Sequence, residues 1–312
     1  MTKLHFAQLS DIHISALGDH HELLSGRSAG FLADIVTRLN QIDSLAFVLI
    51  TGDLFDFANE AELEQFQEII RTLQKPFYVI PGNHDRRPPG SSEGLTRHQF
   101  AQQFNPQVAA RPAAPDLQAG YWSIDLGPQL QLIGLDSIRD RDWGGIVDAV
   151  QMDWLKGELE RCRDKLVMVA IHHPLHSLAA IDHHPDWGNF VCANGQEVIE
   201  LLDGAPQVKG VLTGHHHLNR VDRLGQRLHL ACPAIATYPC AYRTFILTQE
   251  PGDRWRLEWQ THPAADQATI AEAREIMLRA WQGAGFEADF VEAYARLSLG
   301  GESDQNGSAI LG

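Results

Sequence analysis

Aspartate, asparagine and histidine fall in five short clusters along the chain: Asp11-Ile12-His13, Gly52-Asp53, Gly82-Asn83-His84-Asp85, His172-His173-Pro174 and Gly214-His215-His216-His217. Imidazole nitrogen mixed with carboxylate and amide oxygen suits divalent transition metals such as Mn, Fe, Co or Zn better than calcium. In extended chain, residues two apart point the same way. Asp11 and His13 are therefore expected to grip one ion from one side, as are His215 and His217, with His216 facing away. The glycines let the backbone turn beside the site without a Cβ in the way. A carboxylate can bridge two ions ~3.5–4 Å apart, the spacing of two-metal hydrolytic sites. The expected centre is dinuclear, with two divalent ions per subunit.

Each cluster follows an apolar run. Residues 4–9, 45–50 and 77–80 read as buried strands of a parallel sheet, alternating with helices. In the second helix Leu63, Phe66, Ile69, Ile70 and Leu73 recur at helical spacing, Asn59 can cap the start, and Lys75-Pro76 marks the stop. Further on, residues 121–126 and 130–135 suggest a hairpin around Gly127-Pro128. A helix is expected near 149–161, a strand at 166–171, a helix near 194–202, a strand at 208–213 and three more strands up to 260. Ligands of open α/β sheets bind outside the carboxyl ends of the strands, and that is where all five clusters lie.

The order D-x-H, G-D, G-N-H-D, H, G-H-x-H resembles the calcineurin-like metallophosphoesterase superfamily over roughly residues 1–260. The resemblance implies an α/β fold: a four-layer αββα sandwich of two mixed β-sheets flanked by helices, here with a short C-terminal helical extension. It divides the chain into a metallophosphoesterase domain, 1–262, and a helical extension and tail, 263–312. It also implies that Asp11, His13 and His217 bind one metal, that Asn83, His172 and His215 bind the other, and that Asp53 bridges them. His84 is then the catalytic stabiliser or general acid, and Asp85 an orienting group. The stretches 192–202 and 231–245 look like the branch containing class III cyclic-nucleotide phosphodiesterases and glycerophosphodiester phosphodiesterases.

The function so implied is hydrolysis of a small phosphodiester by metal-activated hydroxide, first of all a 3′,5′-cyclic nucleotide such as cAMP. A glycerophosphodiester phosphodiesterase is the alternative, and a catalytically inactive scaffold of the same fold a third reading. Two divalent ions against two carboxylates leave the site at about +2. That attracts an anionic diester even in a chain of net charge −15, because distant charges are screened over about 8 Å.

Other residues carry blander expectations. His173 reads as structural, His216 as packing or solvent-facing, and His20, His21, His176, His183 and His184 as solvated loop residues. Asn194 opens a helix, so capping is its first reading; with Asn83 it is also a candidate substrate contact. Arg86 and Arg87 read as a solvated loop that runs on to Gly94.

Composition excludes several classes. With 40 Asp+Glu against 25 Lys+Arg in 312 residues, the chain lacks the basic face that nucleic acid or an anionic membrane requires. No apolar run approaches ~20 residues, and no secretory leader opens the chain, so a cytoplasmic protein is expected. Its four cysteines sit singly, as reduced thiols or small core residues. Residues 270–281 and 286–297 read as helices. Ile270, Met277, Leu278 and Trp281 form an apolar stripe for the sandwich or for a second subunit of a homodimer or higher homo-oligomer. The last dozen residues read as a frayed tail.

Overall fold

The computed structural model describes residues 2–87, 94–105, 120–184, 190–252 and 254–311. In chain order these form β1 (Lys3–Leu9), α1 (Ser25–Asn40), β2 (Leu45–Ile50), α2 (Glu60–Ile70), β3 (Phe77–Val79), α3 (Arg97–Phe104), β4 (Trp122–Asp125), β5 (Leu130–Gly134), α4 (Ala149–Arg161) and β6 (Leu166–Ala170). There follow α5 (Gly195–Asp203), β7 (Val208–Thr213), β8 (Arg220–Leu224), β9 (Arg227–Ala231), β10 (Ala241–Glu250), β11 (Arg254–Pro263), α6 (Gln267–Gly283), α7 (Ala288–Leu299), α8 (Glu302–Gln305) and β12 (Asn306–Leu311).

The strands make two six-stranded sheets, ordered β12-β11-β10-β1-β2-β3 and β4-β5-β6-β7-β9-β8. Both are mixed: β1, β2 and β3 run parallel, as do β5, β6, β7 and β9, while the outer pairs are antiparallel. Side chains alternate between the faces, and here both faces are covered. Phe47 and Leu49 enter the cluster between the sheets, whereas Val48 and Ile50 join the helices outside the first sheet. Likewise Leu132 and Met168 point inward, and Ile133 and Val169 pack with α4 and α5. Three apolar layers therefore separate helix, sheet, sheet and helix. This is the expected αββα sandwich, and double burial is why the strands read as unbroken apolar runs.

Local signals hold in part. Asn59 accepts a bond from the Glu62 N–H at 3.0 Å and caps α2, but α2 ends at Ile70, a turn short of Lys75-Pro76. Four strands rather than three lie between β7 and the C-terminal helices, because β8 (RVDRL) is a polar edge strand with no apolar signature. The loop expected from Arg86 to Gly94 falls outside the described residues from 88 to 93. Arg86 itself is no solvated residue: it is 4% exposed and paired with Asp136 at 2.6 Å and with Asp140.

The C-terminal segment departs most from expectation. Met277, Leu278 and Trp281 of α6, with Val291 and Tyr294 of α7, lie in the same core cluster as α1 and α2, so the stripe is covered within the chain. The tail is a strand: β12 pairs antiparallel with β11 from Gln260↔Asn306 to Trp255↔Leu311. Leu311 is 1% exposed between the sheets. Its six residues, Asn-Gly-Ser-Ala-Ile-Leu, end in only two large apolar side chains and show no period-two pattern, which hides it in sequence. Leu311→Ala should cost about 2–4 kcal/mol of unfolding free energy, read as a lower urea midpoint; an unshifted midpoint would show that the strand frays in solution.

Candidate metal centre

The five clusters sit where β1, β2, β3, β6 and β7 end. Beyond β1 and β2 the two loops stay side by side: Asp11 N–H donates to the Gly52 carbonyl at 3.0 Å, and Ile12 and His13 N–H donate to the Asp53 carbonyl at 2.7 and 2.9 Å. The chain is not extended there, however. Asp11, His13, Asp53, His215 and His217 all have left-handed backbones, with φ from 47 to 65°. The expectation that period-two alternation aims Asp11 with His13, and His215 with His217, is therefore corrected: two left-handed residues flanking one that is not left-handed do the aiming. Non-glycine residues held there cost on the order of 1–3 kcal/mol each and persist where their surroundings over-determine them.

Those surroundings are visible. Asp85, fully buried, accepts four backbone N–H bonds, from Asp53, Leu54, Phe55 and Gly82, at 2.7 to 3.2 Å. It is the orienting group expected. A Cβ on Gly82 would lie 2.1 Å from Asp53 Oδ1 and 2.2 Å from its nitrogen. One on Gly214 would lie 2.1 Å from Ser10 Oγ. Only glycine lets these loops close on the carboxylates.

The seven expected ligands converge. Asp53 Oδ2 lies 3.7 Å from His13 Nε2 and 3.3 Å from His172 Nε2. His172 Nε2 is also 3.0 Å from Asn83 Oδ1, and Asp11 Oδ1 is 3.4 Å from His217 Nε2. Ligand atoms of Asp11, His13 and His217 lie within 4.8 Å of one another, as do those of Asp53, His172 and His215. A third group of the same size, His13, Asp53 and His84, lies between them.

The donor set fits cations. Both ring nitrogens of His13 are buried without a hydrogen-bond partner, and burial holds its pKa well below the usual 6.5, leaving a bare lone pair. His172 donates Nδ1–H to the Thr51 carbonyl at 2.7 Å, so its Nε2 lone pair meets two further acceptors, Asn83 and Asp53. Burial lowers the pKa of His172, but the carboxylate of Asp53 outweighs that and pushes it up to about 9. Three acceptors around one point need a proton or a metal between them.

Around the cluster, His84 donates its backbone N–H to Asp53 Oδ1 at 2.8 Å, and its Nδ1 meets the Asp56 carbonyl at 2.9 Å. Its Nε2 is thus the nitrogen left for chemistry. His173 is structural: Nδ1 meets Ser137 Oγ at 2.8 Å, Nε2 the Trp143 carbonyl at 2.9 Å, and burial drives its pKa down to about 3. His216 faces away and is fully buried against Asp182 and Tyr294. Asn194 makes no side-chain cap; its carboxamide instead brackets Val147, accepting from the N–H at 3.0 Å and donating to the carbonyl at 2.8 Å.

Several histidines lie away from the cluster or at its rim. His176 pairs with Asp222, and His183 is exposed beside Ser177. His184 is exposed against Phe286 and His21 against His20. His20 is half-buried and reaches Asp56 Oδ2 at 3.1 Å, which corrects its solvated reading.

Two residues the sequence reading missed line the cluster. Asp56 stands three positions after Asp53, and its carboxylate approaches His84 Nδ1 at 3.6 Å. Trp143, 37% exposed, lies with its ring centroid 4.9 Å from that of His84. The G-D-L-F-D spacing could have flagged the first; nothing periodic marks the second.

The calcineurin-like phosphoesterase family model matches residues 4–219, the span that delivers all five clusters. The chain is a calcineurin-like phosphoesterase. Among its relatives, a 3′,5′-cyclic-nucleotide phosphodiesterase of Nostoc sp. is 30% identical over 255 residues, covering 80% of this chain and 85% of the relative. A probable glycerophosphodiester phosphodiesterase of Arcobacter nitrofigilis is 28% identical over 223 residues, covering 67% and 70%. In fold, this phosphoesterase resembles a dimetal phosphatase of Danio rerio, with a TM-score of 0.68 at 15% identity over 84% of this chain and 97% of that one. Among the described residues of the phosphoesterase, no helix is long and apolar enough to cross a membrane.

Proposed function

We propose that this phosphoesterase hydrolyses small phosphodiesters at a two-metal centre, 3′,5′-cyclic nucleotides such as cAMP first among them. The observation that carries this is Asp53, whose Oδ2 lies 3.7 Å from His13 Nε2 and 3.3 Å from His172 Nε2, so one carboxylate touches a histidine of each expected ligand group. Asp11, His13 and His217 would hold one ion, Asn83, His172 and His215 the second, and Asp53 both. Two bound Mn, Fe, Zn or Co ions supply Lewis acidity toward the phosphoryl oxygens and a water acidic enough to react near neutral pH.

The chain's own residues supply the rest. His84, anchored through Nδ1, presents Nε2 toward the group that leaves. As imidazolium it gives its proton to the departing alkoxide, and the Asp56 carboxylate 3.6 Å away stabilises that cation. Asn83 is both a ligand and a substrate contact in this reading. Asn194, whose carboxamide holds the Val147 backbone, is the second candidate substrate contact. The exposed indole of Trp143 beside His84 offers a face on which a base can stack, which favours a nucleotide. The Arcobacter relative supports glycerophosphodiesters as the second reading. With all seven donors present, an inactive scaffold is the weakest, and the acidic surface argues against nucleic acid as substrate.

Kinetics on metal-reconstituted protein test this. cAMP, glycerophosphocholine, bis-p-nitrophenyl phosphate and p-nitrophenyl phosphate are compared, before and after dialysis against EDTA and readdition of Mn or Zn. Activity should vanish with the metal and return with it, and cAMP should lead the panel. Fastest turnover of the monoester refutes the diesterase reading; glycerophosphocholine in the lead selects the second.

A further inference from the structure

The family match ends at residue 219, yet the loop carrying His215 and His217 is held by a helix seventy residues further on. Tyr294 of α7 is buried and donates its hydroxyl to the His216 carbonyl at 2.8 Å, and His216 Nδ1 lies 3.3 Å from the Tyr294 hydroxyl oxygen. On its other side the His216 ring meets Asp182, a carboxylate fixed by the N–H groups of Leu178 and Ala179 at 2.7 and 3.0 Å. Phe190 stacks on the ring, centroids 4.5 Å apart. The end of α7 grips the next residues as well: the Ser298 and Leu299 carbonyls accept from the Asn219 N–H and its side-chain amide at 3.2 and 3.0 Å.

His216 is the one residue between two left-handed ones, at φ 65 and 57°. Such a backbone does not hold itself, since its neighbours must over-determine it. The grips on its carbonyl and ring do so. His215 groups with Asp53 and His172, and His217 with Asp11 and His13, so one loop serves both halves of the centre.

We propose that helix α7 is a positioning element of the metal centre: Tyr294, through His216, sets the loop geometry that aims His215 at one ion and His217 at the other. The proposal rests on the two-metal reading above. Groups that orient metal ligands typically change affinity by 10–100-fold when removed.

The test compares Tyr294→Phe, Asp182→Asn and Val291→Ala in the full chain. Val291 is buried on the same helix and serves as the packing control. Mn(II) and Zn(II) dissociation constants are measured by chelator competition, Tm on the metal-free proteins, and KM and kcat at saturating metal. Y294F is expected to weaken metal binding about 10–100-fold while KM at saturating metal stays at the wild-type value. D182N, reaching the same ring from the opposite side, should weaken metal in the same direction and decides the matter if Y294F does not fold. V291A should lower the metal-free Tm and leave affinity unchanged. Wild-type affinity in both Y294F and D182N overturns the proposal, as does a V291A loss equal to that of Y294F, which would mean that the helix acts through global stability alone. Wild-type protein that binds neither metal overturns the two-metal reading and this inference with it.

Discussion

Asp53→Asn should reduce the bound metal from two ions per chain to one or none and lower kcat/KM by more than about 10³-fold. The substitution keeps shape and volume but exchanges a carboxylate oxygen for an NH2 group. An amide cannot serve two cations at once, and it points donor hydrogens at the imidazoles of His13 or His172, 3.7 and 3.3 Å from Oδ2. It also removes the charge that holds two divalent ions close together. The fold should survive, because the loop around residue 53 hangs on Asp85, which takes the N–H groups of residues 53, 54 and 55. Elemental analysis of dialysed protein with steady-state kinetics provides the check. Two ions retained and turnover within tenfold of wild type would remove Asp53 from its bridging role.

His84→Ala should cost about 10²–10⁴ in kcat on cAMP and leave metal content unchanged. The imidazole is fixed by the Asp56 carbonyl and packs edge-on against His13, centroids 4.7 Å apart. If its task is to protonate the leaving oxygen, the loss must depend on how badly that oxygen needs a proton. The penalty should therefore be large for the ribose alkoxide of cAMP and much smaller for bis-p-nitrophenyl phosphate, whose phenolate leaves unaided. Equal losses on both diesters would assign His84 to charge stabilisation alone, and no loss on cAMP would remove it from the mechanism.

Residue types and spacing made the convergence of the Asp, Asn and His clusters and the layered fold legible. Motif order reports which side chains meet, and double burial writes strands as apolar runs. Conformation was the part that could not be read. Asp11 and His13 suggested an extended pair, but their geometry comes from left-handed φ values imposed by partners forty and two hundred residues away, the Asp53 carbonyl and the His215 N–H. Polar residues with unforeseen partners were misread for the same reason. Arg86 looked solvated because Asp136 is fifty positions distant, and Asn194 looked like a cap because Val147 is not its neighbour in sequence. Strand β12 carries too few apolar residues to announce itself, and only its ladder with β11 makes it a strand.

Asp11, His13, Asp53 and Asn83 belong to one sheet of the sandwich, and His172, His215 and His217 to the other. Ions held among them would be rivets across the seam, joining layers that otherwise meet through a mainly apolar interior and a few hydrogen bonds, such as Gln8 to the Thr213 carbonyl and Trp122 to the Val79 carbonyl. Any species that binds the folded chain and not the unfolded one deepens the folded well by mass action. Transition metal bound there would thus raise the stability of the protein as well as support its turnover.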